Sequence, residues 1–232
     1  ITFDSGGLSL KSSMGMMAMK GDMGGGAAAI AAITAVASIG PKINVDVICA
    51  ATENMPGGSA QRPGDVVQSM NGKWIEILNT DAEGRLTLAD AISYARSKGA
   101  ARIVDIATLT GAISVALGRG QIGAFSNDDD LFGMIDNAAK KVGEPIWRMP
   151  LDKVSKRQNV STVADLKNTG GRDAGSITAA HFIAEFVDDI PWIHLDIAAR
   201  VFSDKEEGIN VTGATGIPTR TLIQLVMDLT EQ

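Results

Sequence analysis

Apolar and polar positions divide this chain into alternating strand-like and helix-like stretches. Residues 1–4, Ile-Thr-Phe-Asp, read as the end of a buried strand that runs into Gly6-Gly7. Residues 24–39 are small and apolar on every side, which predicts a helix buried all round. Residues 43–52 are rich in β-branched side chains and predict a strand. Residues 66–70 and 74–78 predict a hairpin around Asn71-Gly72. The pattern then gives a helix over 86–97 stopped by Gly99, a strand over 102–108, a short helix after Thr110-Gly111, a strand over 121–126 and a helix over 129–142. Residues 153–174 are polar and read as a long irregular excursion. A helix over 176–187, a strand over 192–198 and a closing helix over 218–229 complete the chain.

Such alternation predicts an α/β fold with a mixed, largely parallel central sheet and helices on both faces. Ligands in these folds gather beyond the carboxyl ends of strands. Asp4, Asp81 and Thr108 all fall at such ends.

Composition narrows the picture. The chain has 232 residues, 45% hydrophobic and 21% charged, enough for one substantial core. Its net charge of −6 and lack of a basic run argue against nucleic acid as a partner. The single cysteine, Cys49, leaves no disulfide framework and suits a reducing, cytoplasmic setting. The apolar stretch 24–39 is shorter than the ~20 residues of a membrane span. No signal peptide is visible. The chain opens on a strand already under way, without an initiator methionine, so an upstream segment is expected.

The candidate chemistry centres on Asn79-Thr80-Asp81-Ala82-Glu83-Gly84-Arg85-Leu86. Asp81 and Glu83 are two apart, so an extended backbone with a turn at Gly84 would aim both at one side. Paired carboxylates suit divalent cations that take oxygen ligands. Arg85 can hold an anion or a developing negative charge beside them. Asp-x-Glu pairs are common on solvated surfaces, but this one follows an apolar strand. Asp4 also ends an apolar strand. Asp22 precedes the Gly24-Gly25-Gly26 helix start, where an N-cap is the plainer role, and Lys11 lies in a polar loop. His181 and His194 sit in helix and strand patterns and read as packed structural histidines. The three glycines are explained by close helix packing at least as well as by a phosphate cradle. The result is an acidic site without histidine or cysteine ligands, compatible with two metals sharing carboxylates.

These segments together resemble the leucyl (cytosol) aminopeptidase family. The octapeptide stands as the family signature, and Thr2-Phe3-Asp4-Ser5-Gly6-Gly7 with Lys11, then Met19-Lys20-Gly21-Asp22-Met23, resembles its first metal segment. Asn54-Met55-Pro56-Gly57-Gly58, Ala107-Thr108-Leu109-Thr110-Gly111 and Trp192-Ile193-His194-Leu195-Asp196 also match, so the likeness runs over nearly the whole chain.

The resemblance implies a zinc-exopeptidase-like catalytic domain over 1–232 that removes N-terminal residues, leucine and other apolar ones by preference, from peptides. It implies two divalent ions, zinc or manganese, with Asp4 and Glu83 bridging, Asp22 on the tightly held ion and Asp81 on the exchangeable one. Lys11 and Arg85 become the catalytic side chains, with a bicarbonate near Arg85. Met19, Asn79, Thr108 and Leu109 become the substrate pocket. Family members also carry a lysine ligand in a Lys-Gly pair before the segment matching Ile1, together with an N-terminal domain, and are commonly homo-hexamers. The competing readings are a silent scaffold of the same fold and a two-metal phosphohydrolase.

Overall fold

A computed structural model describes residues 1–206 and 208–230. The strands are β1 (Phe3–Asp4), β2 (Glu53–Asn54), β3 (Val66–Gln68), β4 (Trp74–Glu76), β5 (Ile103–Ala107), β6 (Ile122–Ser126), β7 (Ile146–Arg148), β8 (Leu166–Lys167), β9 (Trp192–Asp196), β10 (Phe202–Ser203) and β11 (Gly213–Ala214). The helices are α1 (Ser13–Met16), α2 (Gly24–Ile39), α3 (Gly84–Ser97), α4 (Gly111–Leu117), α5 (Asp129–Val142), α6 (Lys153–Lys156), α7 (Gly175–Ala184) and α8 (Thr219–Thr230).

The central sheet has the order β5-β9-β6-β7. Pairs β5–β9 and β6–β7 are parallel, and β6–β9 is antiparallel. Side chains of β9 alternate between two cores. Trp192 packs with Ile92, Ile183 and Phe186 of the α3 and α7 side. Ile193 and Leu195 pack with Leu131, Ile135 and Leu225 of the α5 and α8 side. The expected α/β architecture, helices on both faces of a mixed sheet, is the one observed. A smaller sheet, β3-β4-β8, holds the predicted hairpin, with Gly72 at φ +90° in its turn.

Local chemistry sets the helix ends. The Thr110 hydroxyl accepts from Ile113 N to start α4, and Asp128 accepts from Leu131 N to start α5. Asp129 and Asp130 open α5, and Lys140 and Lys141 close it, complementing the helix dipole.

Four expectations are corrected. Helix α2 spans the predicted residues but buries only one face, Gly25, Ala28, Ala32 and Val36, while Ile30 is 53% exposed. Its uniform apolarity concealed a one-sided contact, the other side bordering a cavity. Residues 43–52 form no ladder, because a β-rich segment becomes a strand only beside a backbone that takes its N–H and C=O groups. Beside β1, Glu53 and Asn54 pair as a ladder, and of 43–52 Thr52 O accepts from Thr2 N at the margin. The excursion 153–174 contains α6 and β8, and β8 pairs in parallel with β4. Gly84 is no turn residue but the first residue of α3, where a Cβ would lie 3.3 Å from Leu109 Cδ1.

The helical run Ser13–Ile39 is 27 residues long and apolar enough in composition to cross a membrane. Its longest continuous helix has 16 residues, below the ~20 a span requires. Gly25 in that helix packs so closely that a Cβ would sit 2.1 Å from Ile106 O. Close packing therefore accounts for at least this glycine of the three.

Candidate active site

The site is assembled where β1 and β2 end and the loop before α3 returns. Parallel pairing sets Asp4 opposite Asn54. Asp4 is 3% exposed, and its Oδ1 accepts from Gly6 N and Asn54 Nδ2, each at 2.8 Å. The same Asn54 amide reaches Thr80 O at 2.9 Å and Glu83 Oε2 at 3.2 Å. One side chain thus orients two carboxylates and the loop between them. Gly6, at φ +86°, allows the tight return, since a Cβ there would lie 2.5 Å from Ser9 O.

Asp81 and Glu83 do converge, though not on an extended backbone. Ala82 N donates to Asn79 O in a turn, and Glu83 is already in helical conformation. Single oxygens of Asp4, Asp81 and Glu83 lie within 4.8 Å of one another. Lys11 Nζ sits between two of them, 2.7 Å from Asp4 Oδ2 and 2.6 Å from Asp81 Oδ1. Asp22 approaches from the turn before α2. Its Oδ1 accepts from Thr108 Oγ1 at 2.6 Å. It does not cap α2, whose N-cap residue is Met23.

The electrostatics match this crowding. Burial, reinforced by repulsion from Asp4 and Asp22, pushes Glu83 up to about 7. Burial raises Asp22 to about 6, with Thr108 pulling the other way and Asp4 adding repulsion. Burial likewise raises Asp81, against the pull of Lys11. Burial works against the Lys11 charge, but hydrogen bonds to Asp4 and Asp81 outweigh it and hold the ammonium above its usual value. Such a set of oxygen donors, with more negative charge than its own cation balances, fits a divalent ion. Lys11 occupies part of the space such a charge would neutralise.

Arg85 lies 8% exposed in the first turn of α3. Its Nη1 donates to Asn168 O at 2.8 Å, and its Nε is buried without a partner among the described residues. Burial lowers it to about 10, opposed by Glu83 and Asp196. A buried guanidinium with an unmatched donor fits a small anion.

Asp4, Lys11, Met19, Asp22, Asp81, Glu83, Arg85, Thr108 and Leu109 all border one cavity of about 1880 Å³. Asn79 does not, and its Oδ1 instead accepts from Asp81 N at 2.9 Å. Two residues had no role in the sequence reading. Asn54 is one. The other is Asn168, fully buried, whose amide accepts from Leu78 N at 2.9 Å and donates to Asn79 O at 2.7 Å. Its only signal is its position in a polar stretch. His194 pairs outside the acidic cluster, although its charge also feels Asp196 and Arg85. Its Nδ1 meets Asp105 Oδ1 at 2.5 Å, and it stacks on Phe125 with centroids 5.9 Å apart.

Residues 1–223 match the catalytic domain of the cytosol aminopeptidase family. The chain belongs to that family. Probable cytosol aminopeptidases of Solibacter usitatus (strain Ellin6076) and Alkaliphilus metalliredigens (strain QYMF) are 52% and 50% identical to it, over 98% and 99% of its length. Those alignments cover 48% and 46% of the relatives, so the chain spans about half the length of the curated relatives it matches. The bottromycin maturation enzyme BotP superposes with a TM-score of 0.90 at 40% identity, over 100% of this chain and 51% of BotP. Its complex with Mn gives 0.91 at 41% identity, over 99% of this chain and 52% of BotP. The cytosol aminopeptidases are a metal-dependent peptidase family, and the acidic cluster lies within the segment matched to their catalytic domain.

Proposed function

We propose that this chain is the catalytic domain of a two-metal aminopeptidase that removes N-terminal leucine and other apolar residues from peptides. The observation that carries this is the convergence of Asp4, Asp81 and Glu83 within 4.8 Å, with Lys11 between two of them. Asp4 and Glu83 would bridge two ions, Asp22 would hold one and Asp81 the other. Zinc or manganese suits this set, and manganese is supported by the ion in the BotP complex. Divalent ions bound there supply a nucleophilic water acidified to near neutrality and Lewis-acid polarisation of the peptide carbonyl.

The chain's own side chains do the rest. The Lys11 ammonium faces the carboxylates and stabilises negative charge developing on the carbonyl oxygen. Arg85, with its unmatched Nε, would hold a bicarbonate, which would supply a proton acceptor beside the site. Asp196 is fully buried and accepts from Thr110 Oγ1 at 2.6 Å and Leu109 N at 3.2 Å, fixing the loop that carries Thr108 and Leu109. That loop and Met19 form an apolar wall for the first side chain, with Asn79 shaping the opposite loop. A cytoplasmic, homo-hexameric protein acting on peptides is the setting this reading implies.

The test is release of leucine from a leucyl chromogenic amide by the full-length protein reconstituted with zinc, manganese or cobalt. No release with any of the three refutes the reading. For the chain alone, the wide cavity beside the site favours a second state, folded but inactive.

A further inference from the structure

The ladder between β4 and β8 ends at Asn168 by an exchange of acceptors. The two strands pair in parallel, with Ile75 opposite Leu166 and Glu76 opposite Lys167. Asn168 N then donates to Glu76 O at 2.9 Å. Continued at this register, a parallel ladder would next join Leu78 N to the backbone carbonyl of Asn168. Leu78 N donates instead to the side chain of that residue, reaching Asn168 Oδ1 at 2.9 Å. The backbone carbonyl is left to Arg85, whose Nη1 donates to it at 2.8 Å. One residue thus supplies two acceptors where a strand would supply one.

The other half of the amide closes the turn. Asn168 Nδ2 donates to Asn79 O at 2.7 Å and to Ala82 O at 3.3 Å. Asn79 Oδ1 in turn accepts from Asp81 N. Leu78, Asn79, Ala82 and Arg85 are all tied to Asn168, and Asp81 and Glu83 lie between those ties. The residue is fully buried, so water does not compete for these bonds. Only an amide meets both demands, because the surroundings present N–H donors on one side and carbonyls on the other. Aspartate would keep the acceptor but set an oxygen against two carbonyls. Alanine would leave Leu78 N and Arg85 Nη1 to compete for one carbonyl.

We infer that Asn168 is a positioning residue for both halves of the site: its side chain fixes the turn that carries Asp81 and, by freeing its own carbonyl, aims Arg85. None of its hydrogen bonds among the described residues goes to Asp4, Lys11 or Asp22. Asp22 is oriented separately, by Thr108. On the two-metal reading, on which this inference rests, loss of the amide therefore falls unequally on the two ions.

The test uses the full-length protein with Asn168→Asp and Asn168→Ala. Free manganese is counted by electron paramagnetic resonance during titration of the metal-free protein. Binding is expressed per folded chain, measured by near-ultraviolet circular dichroism. In both variants the weaker ion, the one Asp81 would hold, should loosen about tenfold, while the tighter one stays as in the wild type. In leucyl amide cleavage, the half-saturating bicarbonate concentration should rise about tenfold in Asn168→Ala alone. Asn168→Asp keeps the acceptor for Leu78 N and so leaves the carbonyl to Arg85. Equal loosening of both ions, unchanged binding of both, or one bicarbonate response in the two variants overturns the assignment. If the alanine variant does not fold, the manganese result with Asn168→Asp decides alone. Wild-type protein that binds no manganese refutes the two-metal reading, and this inference with it.

Discussion

Asp105, on β5, and Asp81, in the loop before α3, each meet a nitrogen cation or base, and the two contacts have opposite consequences. Asp105 lies directly across from His194 in the β5–β9 register. Both of its oxygens are used, by His194 Nδ1 and by Trp192 Nε1 at 2.5 Å. The group is packed inside a sheet, and burial acting against the His194 charge is outweighed by Asp105, which raises it. Asp81 shares one lysine with Asp4 and borders a cavity, and its own carboxyl is raised by burial. Four carboxylates crowd this second region, Asp4, Asp22, Asp81 and Glu83, against Lys11 and Arg85. A carboxylate whose every oxygen is matched by a fixed partner holds the fold, even where, as with Asp105, it borders the same cavity. Carboxylates that outnumber their cations beside a cavity hold exchangeable charge.

The contrast can be broken by mutation. The largest effect is expected from Asp105→Ala, which leaves His194 and Trp192 Nε1 unpaired. It should cost about 3–5 kcal/mol of stability in urea unfolding and leave the metal affinity of the folded protein unchanged. Weakened metal binding would show that the two regions are coupled. Lys11→Ala should do the reverse in the full-length protein. The rate on a leucyl amide should fall about 10²–10³-fold, with bound metal per chain the same by atomic absorption. Metal loss in that variant would make Lys11 a structural counter-ion instead.

The smallest effect separates the regions by pH. Glu83 at about 7 and Asp22 at about 6 bind protons more tightly folded than at their ordinary values of 4.5 and 3.8. The metal-free chain therefore gains stability from them as pH falls from 7 toward 4.5, and its melting midpoint should be higher at pH 5.5 than at 7.5. Saturating manganese should reverse that slope, because ligating carboxylates must lose their protons. His194 pairs with Asp105 rather than with the four carboxylates. Its raised value gives a contribution that is present at low pH and lost only as pH rises through it. Subtracting the metal-free curve from the loaded one isolates the acidic cluster.

The sequence made the cluster legible for reasons that were partly right. Asp81 and Glu83 do point into one site, but through a turn and the first residues of a helix, not through strand alternation. Asn54 and Asn168 were not legible as site residues. Their partners lie 50 and 89 residues away, and only the β1–β2 register and the β4–β8 pairing bring them together. β7, β10 and β11, of three, two and two residues, are too short to show a period. Residues 43–52 show the limit from the other side, since strand propensity is local but a ladder needs a second backbone.

The Asn54 amide has a consequence for the order of events as the chain is made. Asp4 is synthesised before the group that aims it, which follows 50 residues later, and Glu83 comes later still. Thr108, which orients Asp22, arrives after both, and Asp196, which fixes the neighbouring loop, about 90 residues after that. Contacts of such sequence separation form late in folding. A growing chain thus carries its acidic ligands unassembled until most of the domain has been made, and metal capture becomes a mark of completed folding.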